Sequence, residues 1–257
     1  MALIGDSVVV YICKGCCVSW WRFLREDLIN IITTTTKRTS LFSNHSTNTS
    51  LPNLNMTIKG QATLRTERLD LVPLRAEHRE HTMKLDMDPV VMKTVAFGRA
   101  FTEDEAIQVH TWLMQSAQTL PGFGCWAGFS PQDGGEFVGW WILASCSEPE
   151  STDAKDSPQR LITDKAEYGF RVAPKFWGKG FAKEGAREMV RHAFQDLELA
   201  EVIGETMTVN GASRAVMAGS GLKHVDTFFN TYDTPPAGIE EGEVRYSIRR
   251  EDWLSTA

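Results

Sequence analysis

The stretch Glu167-Tyr168-Gly169-Phe170-Arg171-Val172-Ala173-Pro174-Lys175-Phe176-Trp177-Gly178-Lys179-Gly180-Phe181-Ala182 contains, in order, the signals of a strand, a turn, a loop of small residues and a helix start. Apolar side chains alternate from Tyr168 to Val172, as in a strand, and Pro174 prevents further ladder pairing. Gly178 and Gly180 leave backbone N–H groups uncovered by side chains. A helix that begins there directs its unpaired N–H groups and positive dipole end at the same place. The stretch therefore predicts an anion site that fits a diphosphate.

The residues after the loop, and the loop itself, narrow the choice of phosphate-binding fold. An amphipathic helix is predicted from apolar residues at intervals of three and four, namely Ala182, Ala186, Met189, Val190, Ala193, Phe194 and Leu197. A P-loop would place Ser or Thr after Lys179, where Gly180 stands, and only two glycines have the Rossmann spacing. The chain therefore lacks the motif of either nucleotide-binding fold, and a phosphate-binding nucleotide protein is the less favoured hypothesis.

The segment from Trp177 to Ala182 resembles the acyl-CoA loop of the GNAT acetyltransferase superfamily, which is written Arg/Gln-x-x-Gly-x-Gly/Ala. Gly180 and Ala182 match the last two fixed positions, and Trp177 stands where Arg or Gln is usual. That replacement, together with Glu184 two residues after Ala182, is typical of the branch that resembles ribosomal-protein N-terminal acetyltransferases.

A second motif lies at the distance that this family requires. Residues 201–209 predict a strand, and a helix opens with Asn210 and Ser213 and closes at Gly221. This segment resembles the Asn-x-x-Ser…Gly-Phe helix of the same branch. Asn210 is also a good N-cap and Gly221 a good C-cap, so a purely structural interpretation stays open for both. The resemblance covers roughly residues 56–253.

The resemblance implies one α/β domain (mixed α+β) over residues 56–257, with a mostly antiparallel mixed sheet of about seven strands and helices on both faces. It implies an N-acetyltransferase that moves the acetyl group of acetyl-CoA, its co-substrate, to a primary amine by direct attack, without a metal. The acceptor amine, on a protein N-terminus or a small molecule, and the oligomeric state are left open. Many members have, at the position of Met217, a tyrosine that acts as the general acid. Because this chain lacks that tyrosine, a non-catalytic acyl-CoA-binding module is the alternative.

The same resemblance implies the residues of the site. Pantetheine would run beside the strand that ends at Val172, where the strand at 201–209 would splay away from it. The expected CoA-binding residues are Val172, Trp177, Gly178, Lys179, Gly180, Phe181, Ala182, Asn210 and Ser213. Glu167 is the candidate base, acting through water, and Ser213 the candidate partner of the departing thiolate. An exposed strand carboxylate and a helix-start serine are the structural alternatives.

Composition bears on partners and location. The net charge of −6 and the pI near 5.6 argue against nucleic acid as a partner. The apolar run at 7–21 is interrupted by Lys14, is too short to span a bilayer and makes a poor secretory signal. We therefore expect a cytoplasmic protein that does not contact a membrane. Residues 1–55 are expected to be a disordered or non-native extension, with Met56 as an alternative start.

The remaining elements follow from local patterns. Strands are expected at 66–74, 125–130, 136–144, 224–230 and 244–249, and helices at 76–87 and 102–118. Thr102 and Glu105 form a capping box at the start of the second helix. The polar segments 145–165 and 231–243 are expected to be long loops that border the acceptor channel. Cys13, Cys16 and Cys17 lack a second ligand pair, so no metal site is predicted.

Overall fold

The computed structural model describes residues 60–149, 159–232 and 235–256. The expectations for residues 1–55, for a start at Met56 and for the three N-terminal cysteines lie outside these residues. Within them, eight strands form one sheet in the order β1-β2-β3-β4-β5-β6-β8-β7. The strands are β1 (Leu64–Arg65), β2 (Asp70–Pro73), β3 (Gly124–Ser130), β4 (Glu136–Pro149), β5 (Gln159–Val172), β6 (Glu201–Met207), β7 (Lys223–Phe228) and β8 (Glu243–Arg249).

The sheet confirms the expected mixed, mostly antiparallel architecture. Every neighbouring pair is antiparallel except β5 and β6, which run parallel. There are eight strands rather than seven because β1 lies before the first expected strand, at 66–74, and the first residues of that expected strand form a turn instead. In that turn, the Thr66 N–H donates to the Leu69 carbonyl at 2.9 Å, so the chain reverses between β1 and β2.

The helices of the described ranges are α1 (Arg79–Asp86), α2 (Pro89–Met92), α3 (Glu103–Gln115), α4 (Phe181–Arg191), α5 (Gly211–Gly219) and α6 (Arg250–Thr256). The capping box that opens α3 is confirmed. The Thr102 hydroxyl accepts from the Glu105 N–H at 3.3 Å, and the Glu105 carboxylate accepts from the Thr102 N–H at 2.8 Å. The helix after the loop is confirmed as α4, which continues as a π-helical turn over His192–Asp196.

The helices cover the sheet unevenly. One apolar cluster joins α1, α2 and α3 to β3 and β4 through Trp140 and Ile142, and none of its buried members comes from β6, β7 or β8. A second cluster joins α4 and α5 to strands of both halves of the sheet, and includes Trp126 and Trp141. The three tryptophans are therefore core residues. Helices lie on both faces, but α1–α3 cover only the N-terminal half.

The prediction of a long loop at 145–165 was wrong. The strand β4 continues to Pro149 and β5 begins at Gln159, so most of the described part of this segment pairs as an antiparallel ladder. The physical reason is that the ladder satisfies backbone groups whatever the side chains are, and a pair that is not covered by helices can carry polar residues. The connection at 231–243 contains a short 3₁₀ turn, Ile239–Glu241, and otherwise no helix or strand before β8 among its described residues.

The parallel pairing of β5 with β6 is short. It joins Lys165 to Glu201, Ala166 to Val202 and Glu167 to Ile203, and no later residues. Beyond this point β5 remains paired with β4, and β6 remains paired with β8. The two strands therefore splay apart as expected, and the opening faces the loop that follows β5.

Candidate active site

The loop between β5 and α4 has the geometry of an anion cradle. Gly178 and Gly180 have φ angles of 72° and 87°, in the left-handed region that glycine adopts without strain. Gly180 is the N-cap of α4, and no side chain caps the helix there. A Cβ added at Gly178 would meet nothing within 4 Å outside its chain neighbours. Uncapped amides beside open space fit a diphosphate, so the residues present suit acetyl-CoA.

The other expected loop residues hold this geometry. The Trp177 indole N–H donates to the Val172 carbonyl at 2.7 Å, while the ring itself is 48% exposed. Phe181 is buried edge-on against Phe176, so it can offer a ligand only its backbone. The Ala182 carbonyl accepts from the Trp141 indole at 3.3 Å. Lys179 is exposed at the rim. Thus Val172 and Ala182 anchor the loop, and the glycines, Lys179 and the ring of Trp177 border its open side.

A clamp that the sequence did not reveal joins the β1–β2 turn to the loop. The Arg68 guanidinium donates to the Glu184 carboxylate at 2.7 Å and to the Lys179 carbonyl at 3.0 Å. Its carbon lies 4.5 Å from the centre of the Phe181 ring. The Thr66 hydroxyl donates to the same Glu184 carboxylate at 2.5 Å, and these hydrogen bonds lower the pKa of Glu184 against the opposing effect of burial. Arg68 therefore fixes the loop from outside.

The start of α5 confirms the N-cap role of Asn210. Its side-chain oxygen accepts from the Ser213 N–H at 3.1 Å, and its amide donates to the Thr94 carbonyl at 3.3 Å. Asn210 is buried, whereas Ser213 is half-buried. Direct contact of either residue with CoA stays a prediction.

Met217 of α5 packs near β5 and β6 on the α4 side of the sheet. A Cβ at Gly204 would lie 2.9 Å from the Met217 sulfur and 3.1 Å from a ring carbon of Tyr168, so these side chains fill that side. The Tyr168 hydroxyl is buried and has no hydrogen-bond partner within 3.5 Å among the described residues. Burial raises the pKa of Tyr168, and the nearby Ser220 hydroxyl offsets part of that effect.

Carboxylates lie on the opposite side of the opening. Glu167, half-buried, occupies the last position at which β5 pairs with β6. Ile203 on β6 is the pairing partner of Glu167, and Glu205 lies two residues after Ile203. Because side chains alternate along a strand, the side chains of Glu205 and Glu167 lie on the same face of the sheet. The Glu205 carboxylate accepts from the Arg245 guanidinium at 2.5 Å. Sequence reasoning missed Glu205; the available signal was a charged residue at an inward position between Ile203 and Met207.

The described residues contain neither a cluster of metal ligands nor a helix that could cross a membrane. No group of three or more His, Cys, Asp or Glu side chains that could hold a metal ion occurs among them. None of the helices in the described ranges is both long enough and apolar enough to cross a bilayer.

Comparisons with known proteins agree with this geometry. The family model described as acetyltransferase (GNAT) domain matches residues 68–223. The FsC-acetyl coenzyme A-N(2)-transacetylase of Aspergillus fumigatus is 71% identical over 199 residues, which cover 77% of this chain and 81% of that protein. A candidate ribosomal N-acetyltransferase of Bacillus subtilis is 31% identical over 93 residues, which cover 36% of this chain and 49% of that protein.

Among solved structures, the chain resembles spermidine N-acetyltransferase from Vibrio cholerae in complex with CoA and spermine. The TM-score is 0.56 at 15% identity, and the match covers 74% of this chain and 99% of that one. At that identity the likeness supports the fold alone.

Proposed function

We propose that the chain, which belongs to the acetyltransferase (GNAT) family, acetylates the N2 amine of FsC, the acceptor in the name of its Aspergillus fumigatus relative. It is an acetyl-CoA-dependent N-acetyltransferase. The finer assignment is supported by 71% identity over 81% of that relative. The single observation that carries the site is the position of the uncapped loop beside the point where β5 and β6 separate.

The bound co-substrate supplies an activated acetyl group as a thioester. Amides of Gly178 to Ala182 would hold its diphosphate, and the splayed strands would admit the thioester end. A neutral amine attacks the carbonyl carbon, so the N–C bond forms and the C–S bond breaks. An α-amine with a pKa of about 8 loses its proton near pH 7.5 at a cost below about 1 kcal/mol, whereas a lysine amine costs about 4 kcal/mol.

Two residues complete the proposed chemistry. Glu167 is the proposed base, acting through water, because it borders the opening. Ser213 is proposed to stabilise the departing thiolate, because it is half-buried in the first turn of α5 and its N–H is already capped by Asn210. Asn210 then acts by fixing the helix start.

A second candidate acceptor is a protein N-terminus, with the chain in the branch of ribosomal-protein N-terminal acetyltransferases. The supporting observations are Trp177 and Glu184 in the loop motif and the 31% identity to the Bacillus subtilis protein. FsC is favoured because the identity to its transacetylase is much higher and extends over far more of the chain.

The experiment mixes purified protein and acetyl-CoA with FsC, an N-terminal peptide or spermidine, and follows free thiol and product mass. We expect thiol release with FsC and a product acetylated on N2. Acetyl-CoA binding without thiol release from any amine would support a non-catalytic acyl-CoA-binding module instead. Cell fractionation tests the proposed cytoplasmic location.

A further inference from the structure

Glu205 stands where the sheet opens. The last parallel pair joins Glu167 to Ile203, and Glu205 follows two residues later on β6 with its side chain on the same face as both. On its other side, Glu205 is in register with Arg245 of β8. The backbone of Glu205 is therefore paired with β8 alone, and its other edge faces the gap between β5 and β6.

The carboxylate of Glu205 is mostly buried, and the charged groups that act on it come from β8. Its side chain is 18% exposed, and Arg245 donates to it at 2.5 Å. On the same strand as Arg245, Glu243 accepts from the Tyr232 hydroxyl at 2.8 Å and from the Asn230 amide at 2.5 Å. On β7 the residue opposite Arg245 is Asp226, and on β5 the nearest charged residue that pairs with β6 is Glu167, whose partner is Ile203.

This enclosure changes how Glu205 titrates. Burial raises the pKa of Glu205 to about 7, although Arg245 opposes the rise, and the negative charge of Glu243 adds to it. A carboxyl group that titrates near neutral pH can both take and release a proton under working conditions. An ordinary glutamate, with a pKa of about 4.3, would remain ionised and accept protons poorly.

We propose that Glu205, held in place by Arg245, accepts the proton of the acceptor's ammonium group before the amine attacks, and so acts beside Glu167 as a second carboxylate in the proton path. The inference rests on the proposed function. The ammonium N–H bond breaks and the carboxylate takes that proton. The amine nitrogen then bonds to the acetyl carbon, the C–S bond breaks, and the second nitrogen proton goes to the thiolate.

The energetics of proton transfer favour Glu205. Transfer from an α-ammonium of pKa about 8 to a carboxylate of pKa near 7 is unfavourable by about tenfold. Transfer to a carboxylate of ordinary pKa is unfavourable by roughly 5000-fold. The enclosed group at the opening therefore suits a weakly basic amine.

The chain supplies a matched control on the same strand and face. Glu201 is paired with Lys165 at 2.6 Å, and its side chain is 24% exposed, but it lies at the closed end of the β5–β6 ladder. Glu201→Gln thus removes a comparable charge from β6 without touching the opening.

The test compares wild type with E205Q, E167Q and E201Q between pH 6 and 9.5, using FsC or whichever amine of the panel is turned over. For E205Q we expect kcat/KM at pH 7 to fall about 100-fold, and the loss to shrink as the amine becomes neutral at high pH. The Kd of acetyl-CoA by calorimetry should stay within twofold. E205D should recover part of the activity, and E201Q should match wild type.

Several results would overturn the inference. An E205Q enzyme within twofold of wild type at every pH would exclude Glu205 from the proton path, as would an equal loss in E201Q. A rise in the acetyl-CoA Kd that accounts for the whole loss would show a structural effect instead. If wild type turns over no amine, the proposed function fails with it; an active wild type with an unmoved E205Q profile contradicts this inference alone.

Discussion

The two ends of the short β5–β6 ladder carry similar ion pairs in different backbone surroundings. At the closed end Lys165 contacts Glu201 at 2.6 Å, and at the open end Arg245 contacts Glu205 at 2.5 Å. All four side chains are about one-fifth exposed. What differs is that β5 pairs with β6 beside Glu201 and not beside Glu205. The loss of one strand ladder, rather than a difference in residue type, therefore distinguishes the open end, where the site is proposed, from the closed end.

The largest effect is expected when a side chain fills the glycine loop that borders the open end. In Gly178→Val, a branched side chain enters space that is empty to 4 Å, at a φ of 72°. We expect the acetyl-CoA Kd to rise at least about 100-fold, or about 2.7 kcal/mol, because the diphosphate would occupy that space. Isothermal calorimetry measures it.

Gly134→Val is the matched control. Gly134 has a φ of 74° and is equally open, but it lies in the β3–β4 turn. Both variants should lose about 1–2 kcal/mol of stability to backbone strain. Only Gly178→Val should lose cofactor affinity, and equal Kd values in the two variants would remove the loop from the site.

The second prediction concerns stability at the open end as pH changes. The folded-state pKa of Glu205 is raised from 4.5 to about 7, so the native state binds more protons than the unfolded state between these values. This contribution to stability is present at low pH and is lost as pH rises through that window. Between pH 4.5 and 8 the unfolding free energy of wild type should fall relative to E205Q, by on the order of 2 kcal/mol. Urea unfolding at several pH values measures it, and parallel curves would contradict the raised pKa.

The third prediction concerns the clamp that holds the loop. Arg68→Ala removes the hydrogen bonds to Glu184 and to the Lys179 carbonyl. We expect the KM for acetyl-CoA to rise about tenfold with kcat changed less, because the loop amides lose their fixed orientation. A double-mutant cycle with Glu184→Gln should give a coupling of about 1 kcal/mol.

The control for the clamp is the pair formed by Arg99 and Glu105, joined by hydrogen bonds of 2.8 and 2.7 Å at the start of α3. Arg99→Ala should leave the KM for acetyl-CoA unchanged. If both arginine variants raise it alike, the effect reflects general destabilisation.

The features that the sequence predicted correctly are local. The helix start at Gly180, which is the N-cap of α4, and the N-cap at Asn210 depend on the conformations and side chains of residues a few positions apart. The helix after the loop follows from one apolar face, and its partner surface need not be known. Local chemistry of this kind is readable from a single chain.

The features that the sequence did not predict depend on distant partners. Arg68 and Glu184 are 116 residues apart, and Glu205 and Arg245 are 40 apart, so nothing near either residue announces its partner. The paired segments 145–149 and 159–162 were mistaken for parts of a loop because backbone pairing across the ladder does not require an apolar sequence pattern. Such ion pairs and strand pairings depend on contacts between distant parts of the chain, and the local composition does not predict them.

The smallest expected effect tests the closed end itself. Glu201→Gln removes the ion pair with Lys165, whose side chain is 23% exposed. A partly solvated pair contributes little net stability, so we expect a loss below about 1 kcal/mol by urea unfolding, and kcat/KM within twofold of wild type. The β5–β6 ladder should hold here through backbone hydrogen bonds, which the substitution leaves in place. A loss of activity comparable to that of E205Q, at unchanged stability, would mean that the site extends along the whole strand and that the point of separation does not define it.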